Sequence, residues 1–499
     1  LVTITIKGSL CTIDAPDPVI RKVYALLSFK KKDAYWASSA SNSGWDGVYH
    51  LLSKLKSGNK FKLGLLYRVL HFLTLENIPF QIDDQRGYRP NFQWHYLDPQ
   101  RTLFMSKEGQ PVKLRDVQIE SVKRFCSEYY GLHLGRGIFS MPPRSGKSIT
   151  ACVLSQVIDD YPVMFVVHKI DLAYQAKKTF ELILKEKVGI VGDGHFDVSD
   201  CKFIVATIQS IANAFGIVDK KDTDEKEVKD TTHYDDIKEF VNTVKVLLID
   251  ECHIAGSNLV QQLPNLARQV RYVAGFSGTP SRDDGADLLV EQLCGSIVYQ
   301  LSKEEAVEKG YILPCVIYAV DLPSIHMPNS TWTQQEKLAI KNNPHIVDSV
   351  VKLVTRLQKK NLSCVVNVKK VEQGKAIQKA LGCEFLHGKV SGEKRAEIYD
   401  KLQRKEILTI VSTVTDIGVD IPSLDCVIIA NVTKSKVSAI QWIRCNTPYE
   451  DKKFGYVFVL CPTVSGADTN YVGKHSASMK YLYNEESTYK VIRKRIDEL

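Results

Sequence analysis

Residues 140–150 read SMPPRSGKSIT; the apolar run GIFS ends at residue 140, and ITACVLSQVI begins at 149. A strand, a loop closing on Gly-Lys-Ser and a helix make the setting of a phosphate-binding loop. There, backbone N–H groups at the helix start face the anion, a lysine counters its charge and a hydroxyl ligates magnesium. The pattern G-x-x-x-x-G-K-[ST] is met only in its second half: Gly146, Lys147 and Ser148 fit, whereas Met141 and Arg144 stand where glycine is usual. The expected contacts are Arg144, Ser145 and Gly146 through the loop backbone, Lys147 on the β- and γ-phosphates, and Ser148 on the metal.

The second half of such a site is an acidic pair at a strand end, and KVLLIDECHIAG, residues 245–256, supplies it. Asp250 closes an apolar run and is expected to hold Mg2+, usually through water. Glu251 follows and is expected to orient or deprotonate the attacking water. An acidic pair there can instead cap the next helix; Cys252 and His253 argue against that plainer reading.

Around these two stretches, β-branched apolar runs alternate with helical stretches: VMFVVHK, KFIVATIQS, VKVLLIDE and RYVAGFSGT. A second set begins near residue 345, with SCVVNVKK, ILTIVSTV, LDCVIIANV and FGYVFVLCP. The pattern predicts an α/β chain with two tandem doubly wound parallel-sheet domains. Before them, VTITI and the amphipathic DPVIRKVYALLSF predict a small α+β domain. The expected boundaries are 1–105, 106–320 and 321–499. Residues 218–240 hold nine acids and five bases, which predicts an exposed, mobile insertion.

Composition narrows the class. The 499 residues are 44% hydrophobic and 25% charged, as in an ordinary soluble protein. No apolar run reaches the roughly 18 residues needed to span a bilayer, so no membrane partner is expected. The opening LVTITIKGSL reads as a first strand and not a signal peptide. The twelve cysteines are never closer than sixteen positions, which excludes a C-x-x-C pair and predicts a reduced, cytoplasmic chain. Of the net charge of +9, residues 1–110 carry fifteen Lys/Arg against nine Asp/Glu, consistent with a polyanionic partner or with a lysine-rich solvated surface.

DECH after four apolar residues is a variant of the D-E-x-H box of superfamily 2 helicases, and the resemblance extends over most of the chain. LRDVQIESV resembles the Q-motif, which implies that Gln118 reads the adenine edge. VVHKIDLAYQ and VATIQSI resemble motifs Ia and Ic, which implies nucleic-acid contacts at Gln175, Thr207 and Gln209. FSGTPSR is similar to motif III, which couples the ATP site to the DNA side. FLHGKVSGEKR and VSTVTDIGVDIP are similar to the H-G stretch and motif V, which implies DNA contacts at His387 and Thr413 and nucleotide contacts at Gly418 and Asp420. The resemblance implies two RecA-like domains, ATP and Mg2+ as cofactors, and Asp250, Glu251 and His253 among the catalytic residues.

SGWDGVYHLLSKLKSGNKFKLGLLYRVLHFL, residues 43–73, resembles the leading domain of the UvsW-type branch-migration helicases of tailed phages. That implies ATP-driven remodelling of forked or branched DNA and single strands, in the cytoplasm of an infected host, alongside recombination or replication proteins. Trp36, Trp45 and Tyr49 are candidates to stack on an unpaired base, with core packing as the plainer reading. A restriction-system motor subunit, an RNA helicase and a degenerate ATPase clamp are the competing readings. The last of these turns on AIQWIRCNTPYE, residues 439–450, against Q-x-x-G-R-x-x-R. Aligned on Gln441, both catalytic arginines are missing; aligned on Pro448, Arg444 takes the first arginine position. The second register is preferred because the chemistry needs a cation on the γ-phosphate. Arg395 is the next candidate.

Overall fold

The computed structural model describes residues 1–30, 47–56, 58–106, 109–192, 194–217, 233–253, 258–280, 285–413, 421–485 and 488–498, leaving aside the side chains of 258, 259, 393, 436 and 437. Contacts divide the chain into two compact units, Leu1–Leu301 and Ser302–Leu499.

Unit 1 begins with β1 (Val2–Lys7), β2 (Leu10–Asp14), β3 (Ser28–Lys30), β4 (Val48–His50), β5 (Ser53–Leu55), β6 (Gly58–Lys62) and β7 (Phe80–Asp84). Five of these form a mixed sheet in the order β5–β6–β2–β1–β7, in which only β1 and β7 run parallel. The period-two alternation of VTITIK buries Val2, Ile4 and Ile6 on one face. There they share a core with Ile20 and Val23 of the helix Asp17–Leu26 and with Val69 and Leu73 of the helix Leu66–Leu75. This is the expected small α+β fold. β3 and β4 pair beside it, and Tyr49 stacks on Phe29 with ring centroids 5.2 Å apart, so one face of that candidate ring is already covered.

The leading sheet is built onto the remainder of unit 1. Leu134 and Leu288 help complete its core. A Cβ on Gly64 would lie 2.2 Å from the Glu291 carbonyl oxygen, so backbone meets backbone at the helix Asp287–Cys294. From the next turn, Arg68 donates two hydrogen bonds to the Glu291 carboxylate, at 2.7 and 2.6 Å. Buried Arg136 ties the same seam, donating to the Arg271 carbonyl at 2.6 Å and to Ser9 Oγ at 3.2 Å.

A hairpin of β8 (Thr102–Met105) and β9 (Pro111–Lys113) precedes the second sheet. That sheet contains β10 (Arg136–Ser140), β11 (Val163–Val167), β12 (Val188–Gly192), β13 (His195–Asp197), β14 (Phe203–Thr207), β15 (Val246–Asp250), β16 (Tyr272–Ser277) and β17 (Ile297–Gln300). Its order is β13–β12–β14–β11–β15–β16–β10–β17, parallel throughout except for the β12–β13 edge pair. VMFVV, FIVAT and YVAGFS are buried at every position, as strands of a parallel sheet covered on both faces must be. The expected mobile insertion is corrected in part: 218–232 lie outside the described residues, but Tyr234–Thr243 is a helix. Ile237 and Val241, one helical turn apart, bury into the sheet's core, an apolar stripe that the surrounding charge obscures.

Unit 2 contains β18 (Cys315–Asp321), β19 (Ile325–His326), β20 (Cys364–Asn367), β21 (Glu384–Leu386), β22 (Thr409–Ser412), β23 (Cys426–Ile429), β24 (Gly455–Cys461), β25 (Val464–Ser465) and β26 (Tyr489–Arg495). Seven of them make a wholly parallel sheet, β21–β22–β20–β23–β24–β18–β26, while β19 and β25 pair separately. Successive residues such as Val427 and Ile428 enter different core clusters, one on each face. The expected boundary at 320/321 would cut β18, whose neighbours β24 and β26 both lie in unit 2. Among the described residues no helix is long and apolar enough to cross a membrane.

Candidate active site

β15, β16 and β10 are neighbours, and their C-terminal ends are level: Asp250 pairs with Phe276, and Ser277 with Ser140. The phosphate loop, the acidic pair and the motif III segment therefore leave the sheet side by side. Met141 N–H donates to the Ser277 carbonyl at 2.9 Å. A Cβ on Gly278 would come within 2.9 Å of the Pro143 ring, so only glycine lets that segment lie against the loop.

The loop has glycine at only one of its usual positions, Gly146. Met141 is fully buried, replacing the first glycine with a core side chain. Arg144 takes φ +68° and Gly146 φ +96°, the left-handed conformation that helps turn successive N–H groups toward one anion. Ser145 is buried, and its hydroxyl donates to the Pro142 carbonyl at 2.7 Å. The helix Lys147–Ile158 then begins at once, buried from Thr150 to Ile158, with its N-terminus at the loop. Gln118 is 2% exposed; it donates to the Gly146 carbonyl at 3.2 Å and accepts from Arg115 N–H at 2.9 Å. The expected adenine reader thus rests on the phosphate loop itself.

Lys147 Nζ lies 3.9 Å from Glu251 Oε1. The other carboxylate oxygen, Oε2, lies 3.3 Å from His253 Nδ1 and accepts from Ser277 Oγ at 3.4 Å. His253 Nδ1 and Ser277 Oγ are 3.1 Å apart, and Thr279 N–H donates to the same hydroxyl at 3.1 Å. Glu251 itself takes φ +48°, an unusual backbone for a residue with a Cβ and of the kind that collects at functional sites. Burial and the adjacent Glu251 charge push the Asp250 carboxyl above its ordinary range. Against the cost of its own burial, the charges of Lys147 and His253 hold Glu251 low and ionised. A half-buried carboxylate at a strand end, beside an anion-binding loop, suits a divalent cation held between protein and phosphate. The residues fit ATP and Mg2+.

The structure thus brings Gln118, Arg144 through Ser148, Asp250, Glu251 and His253 into one place. Ser277, not singled out from the sequence, joins them; the signal for it was the S-G-T of the motif III segment. Gln175 and Gln209 are exposed on the helices Ile170–Leu184 and Ile208–Ala214. Thr207 is buried, and its hydroxyl caps the second of these helices by accepting from Ser210 N–H at 3.3 Å. In unit 2, half-buried His387 follows β21, and Thr413 follows β22, donating its N–H to the Leu386 carbonyl at 3.0 Å. Arg444 stands three residues beyond the end of the helix Lys436–Gln441, half-buried, with Nε donating to the Gln441 carbonyl at 3.1 Å. Arg395 Nε donates to the Val390 carbonyl at 2.9 Å. Trp36, Trp45, Gly418 and Asp420 lie outside the described residues.

Residues 111–282 match the family described as the res subunit of type III restriction enzymes, and residues 345–444 match the helicase conserved C-terminal domain. A putative helicase of a Sulfolobus islandicus filamentous virus is 24% identical over 418 residues, 77% of this chain and 70% of that one. A DNA 3'-5' translocase of Sulfurisphaera tokodaii is 29% identical over 198 residues, 40% of this chain and 38% of that one. Among solved structures, a fragment of a putative HsdR subunit of a type I restriction enzyme from Vibrio vulnificus shares the fold at TM-score 0.53 and 16% identity. It covers 77% of this chain and 69% of its own. T4 UvsW aligns over 99% of both chains at 18% identity and TM-score 0.47.

Proposed function

Because the chain belongs to the superfamily 2 helicases, carrying a ResIII-type domain followed by a helicase C-terminal domain, we propose that it is an ATP-dependent DNA helicase that remodels branched DNA. The reactions would be branch migration, fork regression and strand displacement from D-loops or R-loops, in phage recombination, repair and replication. The observation that carries the ATPase part is Glu251 set between Lys147 on one carboxylate oxygen and His253 and Ser277 on the other.

In this reading Lys147 and the loop N–H groups hold the β- and γ-phosphates, Gln118 reads the base, and Ser148 and Asp250 hold Mg2+. Bound there, the metal would neutralise phosphate charge. Glu251, kept ionised by its neighbours, accepts the proton of the attacking water, and His253 with Ser277 fixes its orientation. Arg444 supplies a cation for charge that develops in the transition state. Gln175, Gln209, Thr207, His387 and Thr413 contact the strand. Gly418 and Asp420 are assigned to the nucleotide and Trp45 to DNA by resemblance alone. The excess of Lys/Arg in residues 1–110 favours the leading domain as the holder of duplex arms.

A second reading, the motor subunit of a restriction or translocase system, is favoured by the res-subunit match. One experiment separates the two: ATP turnover with single strand, duplex, fork, four-way junction and RNA as parallel stimulants. Strongest stimulation by junction or fork supports remodelling, and strongest stimulation by long linear duplex supports the translocase. No turnover with any of them removes both.

A further inference from the structure

Unit 2 has a cavity of about 580 Å3 that none of these roles uses. It opens at the C-terminal ends of β24, β18 and β26, where Asp321 stands in register between Cys461 and Arg495. Ligand sites of open parallel sheets lie outside these strand ends. One wall is a single face of the helix Tyr471–Asn484, where Gly473, Ser476 and Ala477 leave space and Lys480 follows one turn on.

The polar lining is cationic in excess. The Asp321 carboxylate is shared between Lys480 Nζ, at 2.6 Å on one oxygen, and Arg493 Nε on the other. One negative charge thus fixes two positive ones and neutralises only one. Arg495 adds a third, and among the described residues no carboxylate pairs with its guanidinium. Asp497 also lines the cavity, but its carboxylate lies 3.7 Å from Lys352. The helix N-terminus does not provide the attraction. Its first N–H groups are satisfied by Gln335 Oε1, at 3.0 and 3.3 Å, and by Asn470 Oδ1, at 2.7 Å. Charges on β26 also suit an edge strand that must not pair with another chain. That requirement explains neither the cavity nor the convergence of Lys480, from a helix, with Arg493.

We propose that this cavity is a phosphate-ester site, held by Arg495, Arg493 and Lys480. Guanidinium forks match phosphate oxygens, and the volume is that of a nucleotide-sized ligand, well beyond a bare anion. The ester is either a phosphodiester of the bound strand, which rests on the helicase reading, or the phosphate of a free nucleotide, which does not.

The test uses the whole chain and compares the parent with Arg495→Ala, Arg495→Lys and Lys480→Gln. Single-strand DNA affinity is measured by anisotropy across a salt series, and thermal stability with inorganic phosphate or a mononucleotide. Strand binding predicts that Arg495→Ala is weaker by about three- to tenfold at low salt, with a slope against log salt shallower by about 0.7, and that Arg495→Lys keeps most of both. Free-ester binding predicts stabilisation of the parent by mononucleotide or phosphate, lost in Arg495→Ala and Lys480→Gln, with DNA affinity unchanged. If Arg495→Ala and Lys480→Gln, each folded with the parent's melting temperature, match the parent in both assays, the site does not exist. A parent that binds no DNA refutes the helicase reading and leaves the free-ester arm to decide.

Discussion

Ser277 donates its hydroxyl to Glu251 at 3.4 Å, across the ends of two neighbouring strands, while accepting the N–H of Thr279 at 3.1 Å. Motif III therefore touches the carboxylate proposed to receive the proton. Ser277→Ala is expected to leave nucleotide affinity within about twofold and to lower stimulated turnover roughly tenfold, the scale of one positioned hydrogen bond. Steady-state hydrolysis beside nucleotide titration checks it, and equal losses in both would make Ser277 a binding residue.

Lys147→Ala is expected to abolish ATP hydrolysis with DNA binding largely intact, because Lys147 is the loop side chain proposed to meet the β/γ-phosphate charge. Glu251→Gln should bind ATP and not turn it over. Normal turnover in either variant removes the proposed site.

Arg144 should tolerate glycine better than most residues do. A side-chain-bearing residue in the left-handed region costs about 1–2 kcal/mol, and φ here is +68°. Arg144→Gly is expected to hold or raise thermal stability, whereas Arg144→Val lowers it by about 1–2 kcal/mol. Calorimetry of the two variants decides; a stabilised valine variant would contradict this loop geometry.

Gly64→Ala places a methyl group against the Glu291 backbone, where no side chain can rotate away. A loss of about 1–3 kcal/mol is expected, with the leading domain loosened. Glu291→Ala removes the paired bonds to Arg68 and is expected to cost only about 1 kcal/mol, since both groups keep solvent contact. Limited proteolysis near residue 105 reads both, and Gly64→Ala should be cut first.

Arg444→Ala is expected to lose at least about a hundredfold in DNA-stimulated turnover with nucleotide affinity much less changed. Lysine should not rescue it, because the planar fork is lost while the charge stays. Turnover equal to the parent's would send the role to Arg395.

The two parallel sheets were legible because strands buried on both faces are apolar at nearly every position, as VMFVV and VLLID are. VGIVG of β12 escaped because its glycines mimic a turn, and CVIYAVD of β18 was cut by the boundary expected at 320/321. The loop, acidic pair and His253 could be read because their chemistry fixes residue types at short spacing. Ser277 in its role, Gln118 on Gly146 and Arg68 on Glu291 could not, since each joins segments tens to hundreds of residues apart.

The pairing of Arg68 with Glu291 bridges 223 positions, which bears on how the chain is made. On a ribosome adding about 5–20 residues per second, the leading sheet emerges roughly 10–45 s before the helix that covers Gly64 and Arg68. During that interval the surface at Gly64 and Arg68 lacks the helix that covers it. Holding factors would shield that surface during the interval, and slow elongation ahead of residue 287 would prolong its exposure.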